Sequence, residues 1–268
     1  MTDPLSPWRL IQLSDCHLFA DPSGCLLGMN TQDSLNHVLA LISDEQPAIA
    51  AILASGDLAQ DASMDAYQRL YQCLSPFQRP IFWLEGNHDK PAPMIDGLGG
   101  DATQISPAVV QLGNWTLVLM DSTTPGAVGG NLYPDDLAFL DNAITHADGE
   151  HIMVCMHHQP VAMGSAWLDR HLVGGADAFF EILARSDKVR SVVWGHVHQV
   201  FDQVQQGVRL MSAPSTCVQF KPHSDQFAVD TLNPGYRWMD LYPDGRIVSD
   251  VSRVQGVQFQ VDTSGAGY

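Results

Sequence analysis

The chain has 268 residues, and none of its apolar runs is long enough to span a bilayer, although 45% of the residues are hydrophobic. The formal net charge of −17 argues against nucleic acid and anionic membranes as partners, because charges of the same sign repel each other. Five cysteines without a C-x-x-C pair, and a segment Met1 to Trp8 without a basic start or an apolar core, predict a cytoplasmic protein with reduced thiols.

Short apolar segments recur along the first two hundred residues, and each is followed by glycine or polar residues. Runs of this kind are typical of strands in a sheet that is covered on both faces. The predicted strands are Arg9 to Ser14, Ala48 to Ser55, Pro80 to Leu84, Trp115 to Met120, Ile152 to Met156 and Val189 to Trp194.

Apolar residues at helical spacing predict helices between these strands. The predicted helices run from Asn30 or Thr31 to Asp44, from Asp65 to Leu74, from Tyr133 to Thr145 and from Ala176 to Ala184. Only strands are predicted after Val208, at Arg209 to Ser212, Phe227 to Asp230, Tyr236 to Tyr242 and Arg246 to Val251, with an irregular tail after Gln258. The pattern therefore predicts an α/β domain that ends in an antiparallel section.

Clusters of Asp, Asn and His follow five of the predicted strands directly. They are Asp15-x-His17, Gly56-Asp57, Gly86-Asn87-His88-Asp89, His157-His158 and Gly195-His196-x-His198. In open α/β sheets, ligands bind in the crevice beyond the carboxyl ends of the strands, so we expect the five clusters to converge there.

Carboxylates, imidazoles and one amide form a donor set that suits first-row cations such as Mn²⁺, Fe²⁺ or Zn²⁺ better than Mg²⁺ or Ca²⁺. The donors are too many for one tetrahedral ion and suit two ions, with Asp57 as the bridging carboxylate. Each cluster alone also fits a structural explanation, such as a capped turn at a strand end or a core histidine. All five in this order, each after an apolar strand, favour the metal site.

The order D-x-H, GD, GNHD, H and GHxH resembles the signature of calcineurin-like metallophosphoesterases. Other segments resemble the bacterial class III 3′,5′-cyclic AMP phosphodiesterases over nearly the full chain. These segments are Asp15 to Phe19, Leu26 to Gly28, Gly56 to Asp61, Ser165 to Asp169, Pro214 to His223 and the closing Ser264 to Tyr268.

This resemblance implies a single domain over residues 1–268 with the metallophosphoesterase fold, a four-layer α/β/β/α sandwich of two mixed sheets. It assigns Asp15, His17, Asp57 and His198 to a first metal, and Asp57, Asn87, His157 and His196 to a second. The family pattern favours His157 over His158 as the ligand, although Gln159 stands where the wider family often has Pro or His.

The resemblance further implies that the protein hydrolyses 3′,5′-cyclic AMP to 5′-AMP with a water activated by two divalent metals, Fe²⁺ or Mn²⁺ by preference. We expect Asp57, Asn87 and His88 to be catalytic, with His88 stabilising charge or protonating the leaving 3′-oxygen and Asp89 orienting His88. The residues that we expect to contact the substrate are Asp57, Asn87, His88 and His198.

Several alternatives remain open at this point. The same site could act on a 2′,3′-cyclic nucleotide or a glycerophosphodiester, because the clusters bind metal and phosphate and not the organic group. A non-catalytic metal-binding scaffold would predict missing ligands, and a nuclease conflicts with the acidic charge. Trp167 either stacks on a purine or packs in the core, and Ser215 to His223 is either a wall of the nucleotide pocket or a packed loop.

Overall fold

The computed structural model describes residues 6–99 and 102–264, in which strands and helices alternate along most of the chain. The strands are β1 (Trp8–Leu13), β2 (Cys25–Leu26), β3 (Met29–Asn30), β4 (Ile49–Ser55), β5 (Ile81–Leu84), β6 (Ala108–Leu112), β7 (Trp115–Leu119), β8 (His151–Cys155), β9 (Val189–Trp194), β10 (Phe201–Gln205), β11 (Val208–Ser212), β12 (Gln219–Phe220), β13 (Val229–Asp230), β14 (Gly235–Leu241) and β15 (Ile247–Arg253). The helices are α1 (Thr31–Glu45), α2 (Met64–Leu74), α3 (Pro91–Gly97), α4 (Pro134–Thr145), α5 (Ala166–Asp169) and α6 (Ala176–Leu183), with short 3₁₀ helices at Ser75–Phe77 and Ala102–Gln104.

Two mixed sheets form the centre of the fold. The first has the strand order β15-β14-β1-β4-β5, and the second has the order β10-β11-β9-β8-β7-β6. Strands β1, β4 and β5 are parallel to one another, as are β7, β8, β9 and β11, while the outer strands β14, β15, β10 and β6 pair antiparallel. The polar clusters therefore follow parallel strands of both sheets.

Alternation along the strands divides the apolar side chains into three layers of core. Leu10 and Leu117 belong to a cluster between the two sheets. Ile11 faces the other way and packs in a cluster with Leu35 of α1. Val118 packs with residues of α4 and α6 on the outer face of the second sheet. The predicted four-layer α/β/β/α sandwich is confirmed.

The four helices predicted from apolar spacing are present with bounds within one residue of those expected. The Asn30 side chain caps α1 by accepting a hydrogen bond of 2.7 Å from the Asp33 N–H, and Pro134 lies in the first turn of α4. Helices α3 and α5, with seven and four residues, were not predicted, because they are too short to show a helical period.

The C-terminal strands differ in part from the prediction of one antiparallel section. Strands β14 and β15 form an antiparallel pair beside β1, but β11 joins the other sheet parallel to β9. The predicted strand Phe227 to Asp230 is reduced to the two residues of β13. Of the closing segment Ser264 to Tyr268, only Ser264 is among the described residues, and most of Met1 to Trp8 also lies outside them. Among the described residues, no helix combines the length and the apolar composition needed to cross a membrane.

Candidate metal centre

The five polar clusters lie together at the carboxyl ends of the central parallel strands. Main-chain hydrogen bonds join the loops directly, with the Asp15 N–H donating to the Gly56 carbonyl at 3.0 Å and the His17 N–H donating to the Asp57 carbonyl at 2.9 Å. The two sheets are connected at the same place, since the His196 N–H donates to the Asp15 carboxylate at 3.0 Å. The predicted convergence of the loops therefore joins both sheets at one site.

The backbone at the centre is held in a conformation that residues with a Cβ rarely adopt. Positive φ angles occur at Asp15 (55°), His17 (45°), Asp57 (50°), His196 (64°) and His198 (47°). Each such residue costs on the order of 1–3 kcal/mol, and they are concentrated where function requires a particular geometry. Five of the seven predicted metal ligands have this conformation.

Glycines allow the loops to approach one another closely. Gly56 has a φ of +90°, and a Cβ at this position would overlap Nδ1 of His157. A Cβ at Gly86 would overlap the Asp57 carboxylate, and one at Gly195 would overlap the Ser14 hydroxyl. These contacts explain why three of the clusters contain glycine next to a predicted ligand.

Asp15, His17 and His198 form a first group whose side-chain atoms could hold one metal ion. His198 Nε2 lies 3.4 Å from Asp15 Oδ1 and 3.1 Å from His17 Nε2. The Nδ1 atoms of both rings bond outside the group. His17 Nδ1 lies 2.6 Å from Gln60 Oε1, and His198 Nδ1 lies 2.7 Å from the Val218 carbonyl. Such bonds orient a ligating imidazole and leave its other nitrogen for the metal.

A second group contains four buried polar atoms that have no hydrogen-bond partner among the described residues. These atoms are Asp57 Oδ2, Asn87 Oδ1, His157 Nε2 and His196 Nδ1. Buried polar atoms without partners are costly and uncommon, so four of them on loops that meet at the same ends of the strands fit donors for a cation. They belong to the four residues predicted for the second metal, and carboxylate, amide and imidazole donors fit a divalent first-row cation.

The two adjacent histidines have different environments. His157 Nδ1 lies 2.8 Å from the Ser55 carbonyl, which leaves Nε2 facing Asp57. His158 uses both ring nitrogens, with Nδ1 2.9 Å from the Ser122 hydroxyl and Nε2 3.1 Å from the Val128 carbonyl. Burial lowers the pKa of His158 to about 3, so its ring is neutral. These contacts favour His157 over His158 as a ligand.

The electrostatics of the site favour cations. Burial alone would raise the pKa of Asp57, but His157 outweighs it and holds that pKa well below the usual value. Burial lowers the pKa of His17 to about 3, so this ring stays neutral. Burial also opposes protonation of His157, but Asp57 raises the pKa of His157 to about 9. A metal ion would displace the proton of His157, because an imidazole must be neutral to bind a metal.

The Asp89 carboxylate holds two of the loops in position. It accepts hydrogen bonds of 2.9–3.1 Å from the main-chain N–H groups of Leu58, Ala59 and Gly86 and from the Tyr67 hydroxyl. The sequence predicted that Asp89 orients His88, and its role in joining the loops was missed. The Gln60 contact was also missed, although Gln60 lies within one of the segments that carry the family resemblance.

A cavity of about 460 Å³ adjoins the centre. Asn87, His88 and His196 line one part of it, and aromatic side chains line another. The main-chain N–H of His88 donates to Asp57 Oδ1 at 2.9 Å. The half-buried ring of His88 lies 5.0 Å from the His17 ring. The volume falls in the range of small-molecule sites, about 300–1,000 Å³.

Comparisons with known proteins agree with this geometry. Residues 9–200 match the family model described as calcineurin-like phosphoesterase. The chain is 45% identical to a Pseudomonas aeruginosa protein named 3′,5′-cyclic adenosine monophosphate phosphodiesterase CpdA, over 97% of this chain and 94% of that protein. The protein of the same name from Escherichia coli K12 is 39% identical over 97% of this chain and 94% of its own length. A solved structure of a dimetal phosphatase from Danio rerio shares the fold, with a TM-score of 0.67, 14% identity, and coverage of 97% of this chain and 100% of that one.

Proposed function

The chain belongs to the calcineurin-like phosphoesterase family, and on this basis we propose that it is a metal-dependent phosphodiesterase that hydrolyses 3′,5′-cyclic AMP to 5′-AMP. The proposed substrate is supported by relatives that carry this activity in their names and align with nearly the whole chain. The structural observation that carries the proposal is the set of four buried polar atoms without partners beside a cavity of small-molecule size.

We assign two divalent ions to the centre, with Fe²⁺ or Mn²⁺ favoured by the mixture of oxygen and nitrogen donors. The proposed ligands are Asp15, His17, Asp57 and His198 for the first ion, and Asp57, Asn87, His157 and His196 for the second. When bound, the ions neutralise phosphate charge and lower the pKa of water, which supplies the nucleophile. Positive charge at this place also offsets the repulsion of an anionic substrate by a chain of net charge −17.

Asp57 has the geometry of a shared ligand. Its Oδ1 accepts a hydrogen bond from the main-chain N–H of His88, which fixes the carboxylate. Its Oδ2 lies between His17 and His157 and is buried without a hydrogen-bond partner. Asn87 has a similar division of roles. Its Oδ1 is buried without a hydrogen-bond partner and can bind a metal ion, and its amide N–H₂ can donate to a phosphate oxygen.

His88 is the group proposed to act on the leaving oxygen. Its ring lines the cavity beside Asn87, while its main chain is fixed by Asp57. From this position the imidazole can stabilise charge on the 3′-oxygen or deliver a proton to it as the bond to phosphorus breaks. His198 lies in the first ligand group, and its predicted contact with substrate remains a proposal.

The proposal is tested with metal-free protein that is reloaded with Mn²⁺ or Fe²⁺ and assayed on 3′,5′-cyclic AMP, 2′,3′-cyclic AMP and bis(p-nitrophenyl) phosphate. We expect hydrolysis of the 3′,5′-cyclic nucleotide and loss of all activity in Asp57→Ala. Hydrolysis of the generic diester alone would refute the substrate but not the two-metal site. If two metals bind and no diester is cut, the enzymatic function itself is refuted.

A further inference from the structure

The cavity beside the metal centre contains an aromatic wall in addition to its polar part. This wall is formed by Trp167, Phe220 and Phe227, together with Val128 from the loop between β7 and α4. Trp167 and Phe227 are only partly buried, and Val128 is 53% exposed. Apolar side chains that remain accessible in a concave site next to polar groups are typical of ligand binding.

The three aromatic rings support one another edge to face. Trp167 lies 5.2 Å from Phe220 and 5.1 Å from Phe227, with interplanar angles of 74° and 72°. Phe220 and Phe227 are 5.4 Å apart at 66°. Each pair has a geometry that aromatic rings prefer, so contacts among the three rings stabilise the wall.

The wall is attached directly to the metal centre. The ring of Phe220 stacks on that of His198 with centroids 4.1 Å apart and planes 8° apart, and the Phe220 N–H donates to the His198 carbonyl at 3.2 Å. Trp167 lies on α5, where the Asp169 carboxylate accepts the N–H groups of Met163 and Gly164 at 2.7 and 3.1 Å. A ligand on this wall is therefore held at a set distance from the metal ligands.

We propose that Trp167 and Phe227 form the subsite that binds the nucleobase of the substrate, with Phe220 as its buried support. Because the planes of Trp167 and Phe227 are 72° apart, the base stacks on one ring and meets the other with its edge. This inference rests on the proposed function, because the phosphodiester must lie at Asn87 and His88 for the base to reach the wall.

Trp167→Leu and Phe227→Leu test the subsite with two substrates that differ only in the base. These are 3′,5′-cyclic AMP and the 3′,5′-cyclic phosphate of methyl riboside, which has a methoxy group in place of adenine. Base stacking on an aromatic side chain typically changes affinity by about 10-fold or more. We therefore expect KM for cyclic AMP to rise by about 10-fold, with kcat and the constants for the base-free substrate little changed.

The matched control is Trp238→Leu. Trp238 lies on β14, packs against Arg9 of β1 and does not line the cavity. An equal loss on both substrates in Trp167→Leu would show that Trp167 is structural and would overturn the inference. Calorimetric binding of 5′-AMP to the metal-loaded protein separates the two proposals. If the wild type does not cleave cyclic AMP, the proposed function fails, and the subsite is then judged by whether 5′-AMP binding depends on Trp167.

Discussion

The Nε2 atoms of His17 and His198 face each other at 3.1 Å in a fully buried site. Each Nδ1 lies against an oxygen that accepts, Gln60 Oε1 for His17 and the Val218 carbonyl for His198, so each Nδ1–H donates outward and each Nε2 faces the ligand group. Two unprotonated Nε2 atoms at this distance repel each other unless one ring is charged or a cation lies beside both. Burial lowers the pKa of His17 to about 3, which favours the cation.

Removal of one of these rings is expected to remove a metal ion. His17→Ala should lower the metal content from about two ions per chain to about one and abolish activity, because one of four ligands of the first ion is lost. Metal content is measured by elemental analysis after dialysis. His37→Ala is the control, since that imidazole is 40% exposed on α1 and outside both ligand groups. A variant that retained both ions would contradict the ligand assignment.

The adjacent histidines are expected to separate metal binding from structural support. His157→Ala should lose the second ion, whereas His158→Ala should keep both ions and lose stability. Stability should fall because the Ser122 hydroxyl and the Val128 carbonyl would lose their hydrogen bonds to the buried His158 ring. We expect the free energy of unfolding to decrease by about 1–3 kcal/mol. Metal content and thermal unfolding are measured on both variants. Loss of a metal from His158→Ala alone would reverse the assignment.

Much of the fold could be predicted because the central strands carry continuous apolar runs. Strand β8, for example, is buried at all five positions, and its end is marked by His157. Strand β10 was missed because it lies at a sheet edge, where four of its five residues are exposed and the sequence is largely polar. The choice of sheet for β11 was also beyond the sequence, since both sheets offer an apolar neighbour and only the assembled fold decides.

The candidate ligands could be predicted because their residue types are unusual for strand ends and recur in a family order. The groups that orient them could not. The Ser55 and Val218 carbonyls, which bond to His157 and His198, are main-chain atoms and leave no trace in residue type. The role of Asp89 depends on which N–H groups of a distant loop reach its carboxylate, and this is a property of the folded chain.

Gly56 is expected to be essential for the second ligand group. Gly56→Ala would place a Cβ against Nδ1 of His157 at a backbone φ of +90°. We expect loss of the second metal ion and destabilisation of roughly 3 kcal/mol or more, from overpacking combined with backbone strain. Gly207→Ala is the matched control, because its φ is +84° and nothing lies within 4 Å of the added Cβ. Gly207→Ala should lower the free energy of unfolding by only about 1 kcal/mol and should keep both ions. Equal effects of the two substitutions would show that backbone strain, and not contact with His157, decides the outcome.

Asp202 is expected to make stability depend on acid pH. Burial opposes ionisation of this carboxyl, but Arg209, at 2.8 Å through two nitrogens, and the buried Arg237 outweigh burial and lower the pKa of Asp202. Because the pKa is lower in the folded than in the unfolded protein, the stabilisation is complete above the unfolded value of about 4 and is lost as the pH falls through the folded value.

The measurement is the free energy of unfolding of wild type and Asp202→Asn in chelator at several pH values. The Asp202 side chain is 32% exposed, so we expect a difference near pH 7 of only about 1–2 kcal/mol, which shrinks below pH 4. Asp141→Asn is the control, because Asp141 and its partner Arg185 are 46% and 59% exposed and should contribute almost nothing at any pH. A difference between wild type and Asp202→Asn that stayed constant from pH 7 to pH 3 would show that Asp202 acts through packing and hydrogen bonding and not through its charge.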